Sequence, residues 1–281
     1  MRGGPRVTFS LLLRNGLAED IMVKTLLVIL LSVAPLALAQ EKKLNCDDRE
    51  RSYCEMRETT IPAAGAITVD GGANGGIAVK GWDRNEVLLR SQIHVWEHDP
   101  AEARNIAAQI RVEIANGRIH TEGPVSNWHR DGGWGVSFEV FVPRHTDLTL
   151  RTTNGGIELE DVRGRMDFDT TNGGVTLKRV AGNVEGSTTN GGVHIELSGD
   201  HWDGEKCDVH TTNGGVKILV PANYSAHLEA ETTHGGVDIG FPVTVHGRLG
   251  NHFETDLGSG GKLIRVTTTN GGVALQRLPA A

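Results

Sequence analysis

Leu148-Thr-Leu-Arg-Thr-Thr-Asn-Gly-Gly-Ile-Glu-Leu-Glu160 and, eighteen residues on, Met166-Asp-Phe-Asp-Thr-Thr-Asn-Gly-Gly-Val-Thr-Leu-Lys178 are two statements of one phrase. T-T-N-G-G-[IV] begins at Thr152, Thr170, Thr188 and Thr211, and again at Thr268. It returns as T-T-H-G-G-V at Thr232, and a looser A-N-G-G-I opens the series at Ala73. The marker position reads Asn74, Asn154, Asn172, Asn190, Asn213, His234 and Asn270, with steps of 18, 18, 23, 21 and 36 from Asn154 onward. A repeat of this kind decides architecture before any single residue does.

Two apolar columns follow the marker. Three residues on stand Ile157, Val175, Val193, Val216, Val237 and Val273; five on stand Leu159, Leu177, Ile195, Ile218, Ile239 and Leu275. Between them lie Glu158, Thr176, His194, Lys217, Asp238 and Ala274. Strict alternation marks a half-buried strand. Upstream, the pairs Leu148/Leu150, Met166/Phe168, Cys207/Val209 and Ile264/Val266 alternate in the same way, and Gly186 breaks the pattern once. Each unit reads as strand, Asn-Gly-Gly corner, strand, then a second turn at Gly164 or Gly182. Two architectures fit. In a β-solenoid each unit is one coil, stacked about 4.8 Å from the next. In an antiparallel meander Asn-Gly is a two-residue hairpin turn. Near-verbatim repetition favours the solenoid, because stacked coils reward identical side-chain ladders. The expected fold is therefore all-β, a β-solenoid or β-helix of about 18-residue repeats with one short helix.

Two longer phrases sharpen this: V-P-A-N-Y-S-A-H-L-E-A-E-T-T-H-G-G-V-D-I-G-F-P-V-T-V from Val220 and L-G-S-G-G-K-L-I-R-V-T-T-T-N-G-G-V from Leu257. With the repeated T-[TS]-N-G-G-V, they resemble a bacterial adhesin-like family of unknown function, the DUF4097 type, over residues 60–281. The resemblance implies a β-helical or solenoid fold at the cell envelope and supplies no catalytic residues.

The 281 residues carry a net charge of −7, which disfavours nucleic acid or an anionic membrane as partner. The 37 glycines suit a fold of tight corners. Residues 1–39 read as an N-terminal extension plus a Sec-type signal peptide: Lys24, an apolar run, then Ala37-Leu38-Ala39 before Gln40. Export follows, to the periplasm, outer surface or medium, with no transmembrane span left after cleavage. Residues 40–59 form a polar leader in which Cys46 and Cys54 suit a disulfide, and 60–281 form the repeat domain. Cys207 falls in an inward column and reads as a buried apolar residue. Asp99-Pro100-Ala101-Glu102 opens a helix to about Gln109. Ala115-Asn116-Gly117 links two short strands, and residues 136–142 alternate as another.

Two stretches stand out as candidate ligand-binding loops. Ser126–Gly135 holds Trp128, His129, Arg130 and Trp134; the lengthened third repeat, Ser198–Lys206, holds His201 and Trp202. Insertions in solenoids map to loops on one face, and tryptophan beside polar groups suits sugar rings. The alternative is that these rings cap the hydrophobic ends of the stack. Catalytic signals are weak. Asp161, Asp167 and Asp169 read as a solvated acidic face, and no acidic groove continues across the coils, where Lys178 and Glu196 intervene. The twelve histidines are scattered without an H-E-x-x-H, so neither metal nor cofactor is expected. The reading is an exported adhesin-like binding protein without catalytic activity, contacting a cell-surface glycan or protein. A β-helix carbohydrate-active enzyme and a self-associating structural protein are the alternatives.

Overall fold

The computed structural model describes Cys46 and residues 53–125, 133–244 and 250–279. The extension and signal peptide, 1–39, lie outside the described residues. The architecture is mostly β, solenoid-like, with one α-helix among the described residues. Strands form two sheets of ten. Each repeat gives one strand to each sheet: Arg163–Asn172 lies in one sheet, Val175–Lys178 in the other, with the Asn-Gly-Gly corner between.

Neighbouring coils are parallel and in register. Leu148 faces Met166, Thr152 faces Thr170 and Asn154 faces Asn172; Ile157 and Leu159 face Val175 and Leu177. Parallel pairing excludes the meander. The columns read as inward from sequence are buried between the sheets, with Leu150, Leu159, Leu177 and Val209 at 0% exposure. Cys207 is there too, and burial pushes its thiol up to about 12. The gap at Gly186 is filled from next door: a Cβ there would stand 2.4 Å from the Phe168 ring of the adjacent coil.

The corner has a different physical basis from a hairpin. None of the Asn-Gly-Gly corners carries a left-handed residue. What forbids a side chain is the next coil. A Cβ on Gly173 would lie 2.0 Å from Gly155 O, one on Gly191 2.0 Å from Gly173 O, and one on Gly214 2.0 Å from Gly191 O. The second glycine is looser, with Gly174 facing Gly192 O at 3.3 Å. The first threonine of each phrase points inward and ties the same atoms together. Thr170 Oγ1 donates to Gly155 O (2.8 Å), Thr188 Oγ1 to Gly173 O (2.7 Å) and Thr211 Oγ1 to Gly191 O (2.8 Å). A buried hydroxyl thus satisfies a buried carbonyl once per coil.

The second turn sits earlier than Gly164 and Gly182. Asp161 and Arg179, eighteen apart, hold left-handed backbones (φ 56° and 52°), and the strands begin at Arg163 and Ala181. Arg179 Nε donates to Asp161 Oδ1 at 2.9 Å, so the two turn residues clasp each other from coil to coil.

Stacking does not follow chain order throughout, a correction to the expectation that successive repeats lie one atop another. In one sheet the order is Lys206–Asn213, Leu263–Asn270, Ala226–His234, His252–Leu257. The last repeat is inserted beneath the one before it. His252–Leu257 runs antiparallel along Ala226–His234, and the turn through Gly258, Gly260 and Gly261 (φ 57°, 75° and 147°) returns the chain to the other side. Consequently the coil bearing His234 terminates the stack. Its Val237 and Ile239 are only half-buried, as befits an end.

At the opposite end, Ala66–Asp70 and Ile77–Trp82 form the first coil and lie directly against the first full repeat. The intervening chain builds outward. Gly133–Pro143 pairs parallel to Ile77–Trp82, Glu86–Trp96 antiparallel to it, and Tyr53–Pro62 beyond that, so the sheet already begins inside the polar leader. Arg111–Ala115 and Arg118–Glu122 form the expected hairpin, where Asn116 and Gly117 are left-handed (φ 50° and 75°). The helix Pro100–Gln109 has Asp99 as N-cap and buries Ala103 and Ala107. Arg57 donates to the carbonyls of Ala107 (3.2 Å) and Ile110 (2.8 Å) at its C-terminus.

Gly173→Ala should cost about 3 kcal/mol or more, because backbone must move on both coils, whereas Gly174→Ala should cost under about 1 kcal/mol. Thermal unfolding of the two variants checks this.

Candidate functional site

The repeat places two kinds of regular surface on the outside. Along the corner runs a carboxamide ladder. Nδ2 of Asn154 donates to Asn74 Oδ1 (3.1 Å), Asn172 to Asn154 (2.7 Å), Asn190 to Asn172 (2.8 Å), Asn213 to Asn190 (2.9 Å) and Asn270 to Asn213 (2.8 Å). His234 sits in register beside Asn270, where no further coil needs an acceptor. The inner amides each use one donor and one acceptor within the ladder, while at its first rung Asn154 Nδ2 also donates to Ala73 O (2.7 Å) and Asn74 Nδ2 to Trp134 O (3.4 Å). The flat faces carry the second surface. Glu158, Thr176, His194 and Lys217 stand side by side across four strands, flanked by Glu160, Lys178 and Glu196. These charges are cross-linked: Lys178 Nζ to Glu158 at 2.6 Å, and Arg179 to Glu160, Asp161 and Glu196. Asp161 first, and then Glu160, raise the Arg179 pKa further against its partial burial.

Of the sequence-predicted loop residues, Trp128, His129 and Arg130 lie outside the described residues. Trp134 is half-buried at the start of Gly133–Pro143, its Nε1 donating to Pro124 O (2.9 Å) and its ring lying over Gly123. His201 is exposed, with Nδ1 2.5 Å from Asp200 Oδ1. Trp202 is 3% exposed in the core, its Nε1 donating to Gly182 O (3.2 Å), so it covers the coils instead of offering a ring face. Four strand spacings, about 20 Å, separate the Trp134 strand from the coil under Trp202, and the two form no common site. Cys46 and Cys54 are joined in a disulfide.

A family model described as Toastrack DUF4097 matches residues 100–276. The chain belongs to that family. No curated protein matches. Among solved structures, a candidate cell adhesion protein from Clostridium sporogenes is similar at 11% identity and TM-score 0.43, over 80% of this chain and 100% of that one. A candidate adhesin from Bacteroides fragilis gives 11%, 0.32, and 80% and 97%. A candidate lipid-binding protein from Parabacteroides distasonis gives 11%, 0.31, and 79% and 96%.

Two features of this Toastrack chain escaped the sequence reading because they join distant segments. One is the end of the sheet where Gln92, His94 and Trp96 reach the first corner, Asn74-Gly75-Gly76. Trp96 is 40% exposed, and its ring stacks on His94 with centroids 5.3 Å apart. The other is a carboxylate cage around His227. Asp256 (2.8 Å), Glu254 (3.3 Å) and Glu229 (3.6 Å) surround its ring, and Arg265 holds Glu229 (2.7 Å). Among the described residues no group of His, Cys, Asp and Glu has the geometry to hold a metal. No helix of the described residues is long and apolar enough to cross a membrane, which leaves membrane-crossing strands unaddressed.

The two histidines titrate in opposite senses. Hydrogen bonding to Asp256, then the charges of Asp256, Glu254 and Glu229, raises the His227 pKa. Desolvation, then Lys217 and Lys178, lowers that of His194, against Glu196. A raised folded pKa gives stability that is complete below the unfolded value of about 6.5 and fades as pH rises through the folded value. His227→Gln should therefore lose more stability at pH 5.5 than at pH 8.5, and His194→Gln should gain relative to wild type on acidification; urea titrations at both pH values check this. Ile195→Asp, which buries an unpaired charge, should cost more than about 4 kcal/mol, and His194→Asp at neutral pH under about 0.5 kcal/mol.

Proposed function

We propose that this protein is an exported, adhesin-like binding module that holds a cell-surface molecule, glycan or protein, without turning it over. The observation that carries the reading is the outward repetition itself. One carboxamide ladder and parallel columns of polar side chains recur at strand spacing along the stack. Such a surface suits many shallow contacts with a repeating partner, whose combined strength exceeds any single one. The repeat of about 18 residues that carries the T-T-N-G-G-V phrase is the coil unit that generates it. Export rests on the signal-peptide pattern at 22–39, and a disulfide between Cys46 and Cys54 fits an oxidising destination. Membership of the DUF4097 family agrees with this reading. Trp134 and His201, with Trp128, His129 and Arg130, remain its candidate loop contacts.

The full chain, incubated with intact bacterial cells and a polysaccharide panel, should be retained without release of new reducing ends. Sustained release of sugar would transfer the protein to the β-helix carbohydrate-active enzymes. Filaments that form with concentration and without added partner would favour structural self-association.

A further inference from the structure

Where the first corner meets the strands Glu86–Trp96 and Gly133–Pro143, a cleft of about 340 Å³ opens. It shares Gly76 and Ser137 with a second hollow, of about 250 Å³, which continues along the corner over Gly156 and Gly174. Together they make a groove parallel to the stacking direction. We propose that this groove is a binding site for a neutral, extended glycan chain, with Trp96 as its stacking platform.

Four observations point to that ligand class. Trp96 is one of the few large apolar side chains exposed among the described residues, and His94 lies against it with only 18° between the ring planes. A flat, amphipathic face of this kind suits the apolar face of a sugar ring. The floor is glycine, and it cannot be otherwise. A Cβ on Gly75 would stand 1.9 Å from Val136 O, and one on Gly135 2.1 Å from Asn74 O. Neighbouring backbone thus occupies the place of each missing Cβ, and the floor is close-packed main chain. The polar groups are carboxamides and a hydroxyl: Asn74 and Asn154 from the ladder, Gln92, and Ser137, whose Oγ accepts from Gly76 N at 3.2 Å. Both N–H groups of Asn154 are already used, on Ala73 O and Asn74 Oδ1, so this amide meets a sugar hydroxyl through the second lone pair of its oxygen, whereas a hydroxyl such as that of Ser137 can donate or accept. Finally, the cleft beside Trp96 has no Asp, Glu, Lys or Arg in its described lining, and the one charged residue lining the adjoining hollow, Glu158, is held by Lys178 Nζ at 2.6 Å, so the described lining of the groove offers no cation to a phosphate, a uronate or an acidic peptide.

A peptide added as a strand is a poorer occupant. Gly133–Pro143 is paired on both sides, to Glu86–Trp96 and Ile77–Trp82, so no backbone edge is open at the groove. The disulfide to Cys46 lies beside the groove as well, since Cys54 pairs with His94 and accepts a long contact from Gln92 Nε2 (3.6 Å).

This site rests on the adhesin-like reading, and one experiment separates the two. The full chain is run in affinity electrophoresis through laminarin, mannan, galactomannan, xyloglucan and dextran, with polygalacturonate as the charged control, and its adhesion to intact cells is measured in parallel. At least one neutral polysaccharide should retard it and polygalacturonate should not. Trp96→Ala should weaken that binding at least tenfold and Trp96→Phe less, with melting temperatures near wild type. Should Trp96→Ala fail to fold, His94→Ala is judged by the same tenfold criterion. Unchanged binding in the folded variants overturns the groove and leaves the adhesin-like reading standing. So does adhesion to cells by a chain that no neutral polysaccharide retards. Adhesion to neither removes both.

Discussion

The structure depends on how closely one corner can lie upon the next. At each level the carbonyl of the first corner glycine occupies the place a side chain would need on the glycine above it, and a buried threonine hydroxyl donates to that same oxygen. The two effects are inseparable. Without a glycine the coils cannot approach, and without the threonine the carbonyl would be buried with fewer partners than it needs. The asparagine ladder then follows at no further conformational cost, since in-register stacking brings identical carboxamides within hydrogen-bonding reach. Verbatim repetition of T-T-N-G-G-V is thus a packing requirement, repeated because each corner must fit two neighbours.

A stack of this kind must also end, and open ends invite uncontrolled pairing. The two ends are closed differently. At the N-terminal end the sheets grow outward by antiparallel strands, with a helix whose C-terminal carbonyls are held by Arg57. Glu139, buried on the outer face of that sheet, is satisfied by Lys80 and Arg90, and Phe141 lies under both cations. At the other end the penultimate repeat is moved to the outside, and His252–Leu257 covers it in one sheet only. The His227 cage fastens that covering strand, which is why its protonation matters to stability.

Much of this was legible in the chain. The alternation around the Asn-Gly-Gly marker assigned inward and outward columns residue by residue, because side-chain direction in a strand depends only on parity. Asp99-Pro100 placed the helix start for equally local reasons. Other features could not be read locally. Asn116-Gly117 and Asn154-Gly155 are the same dipeptide, yet one is a left-handed hairpin turn and the other is not. What separates them is the coil lying on the second, which is information from elsewhere in the chain. The insertion of residues 263–277 beneath 226–239 is likewise silent in the repeat spacing; the single hint was His234, a residue fitted for the end of an asparagine ladder. Trp202 suggested an exposed loop by composition and lies in the core, since a lengthened turn can fold back onto Gly182 of the coil before it as readily as it can project. The Trp96 platform was missed because its partners come from three separate segments.

Coil order tests the account most directly, since it follows from corner packing and not from sequence spacing. Thr212, Thr269 and Thr233 occupy the same outward position on three coils, with Thr269 on the middle one. Oxidative cross-linking of Thr212→Cys with Thr269→Cys should proceed readily, at a Cα separation of about 5 Å, and Thr212→Cys with Thr233→Cys, two coils apart at about 10 Å, should not. The opposite pattern, mapped by peptide analysis, would mean that the repeats stack in chain order and that the corner-to-corner register described above is wrong.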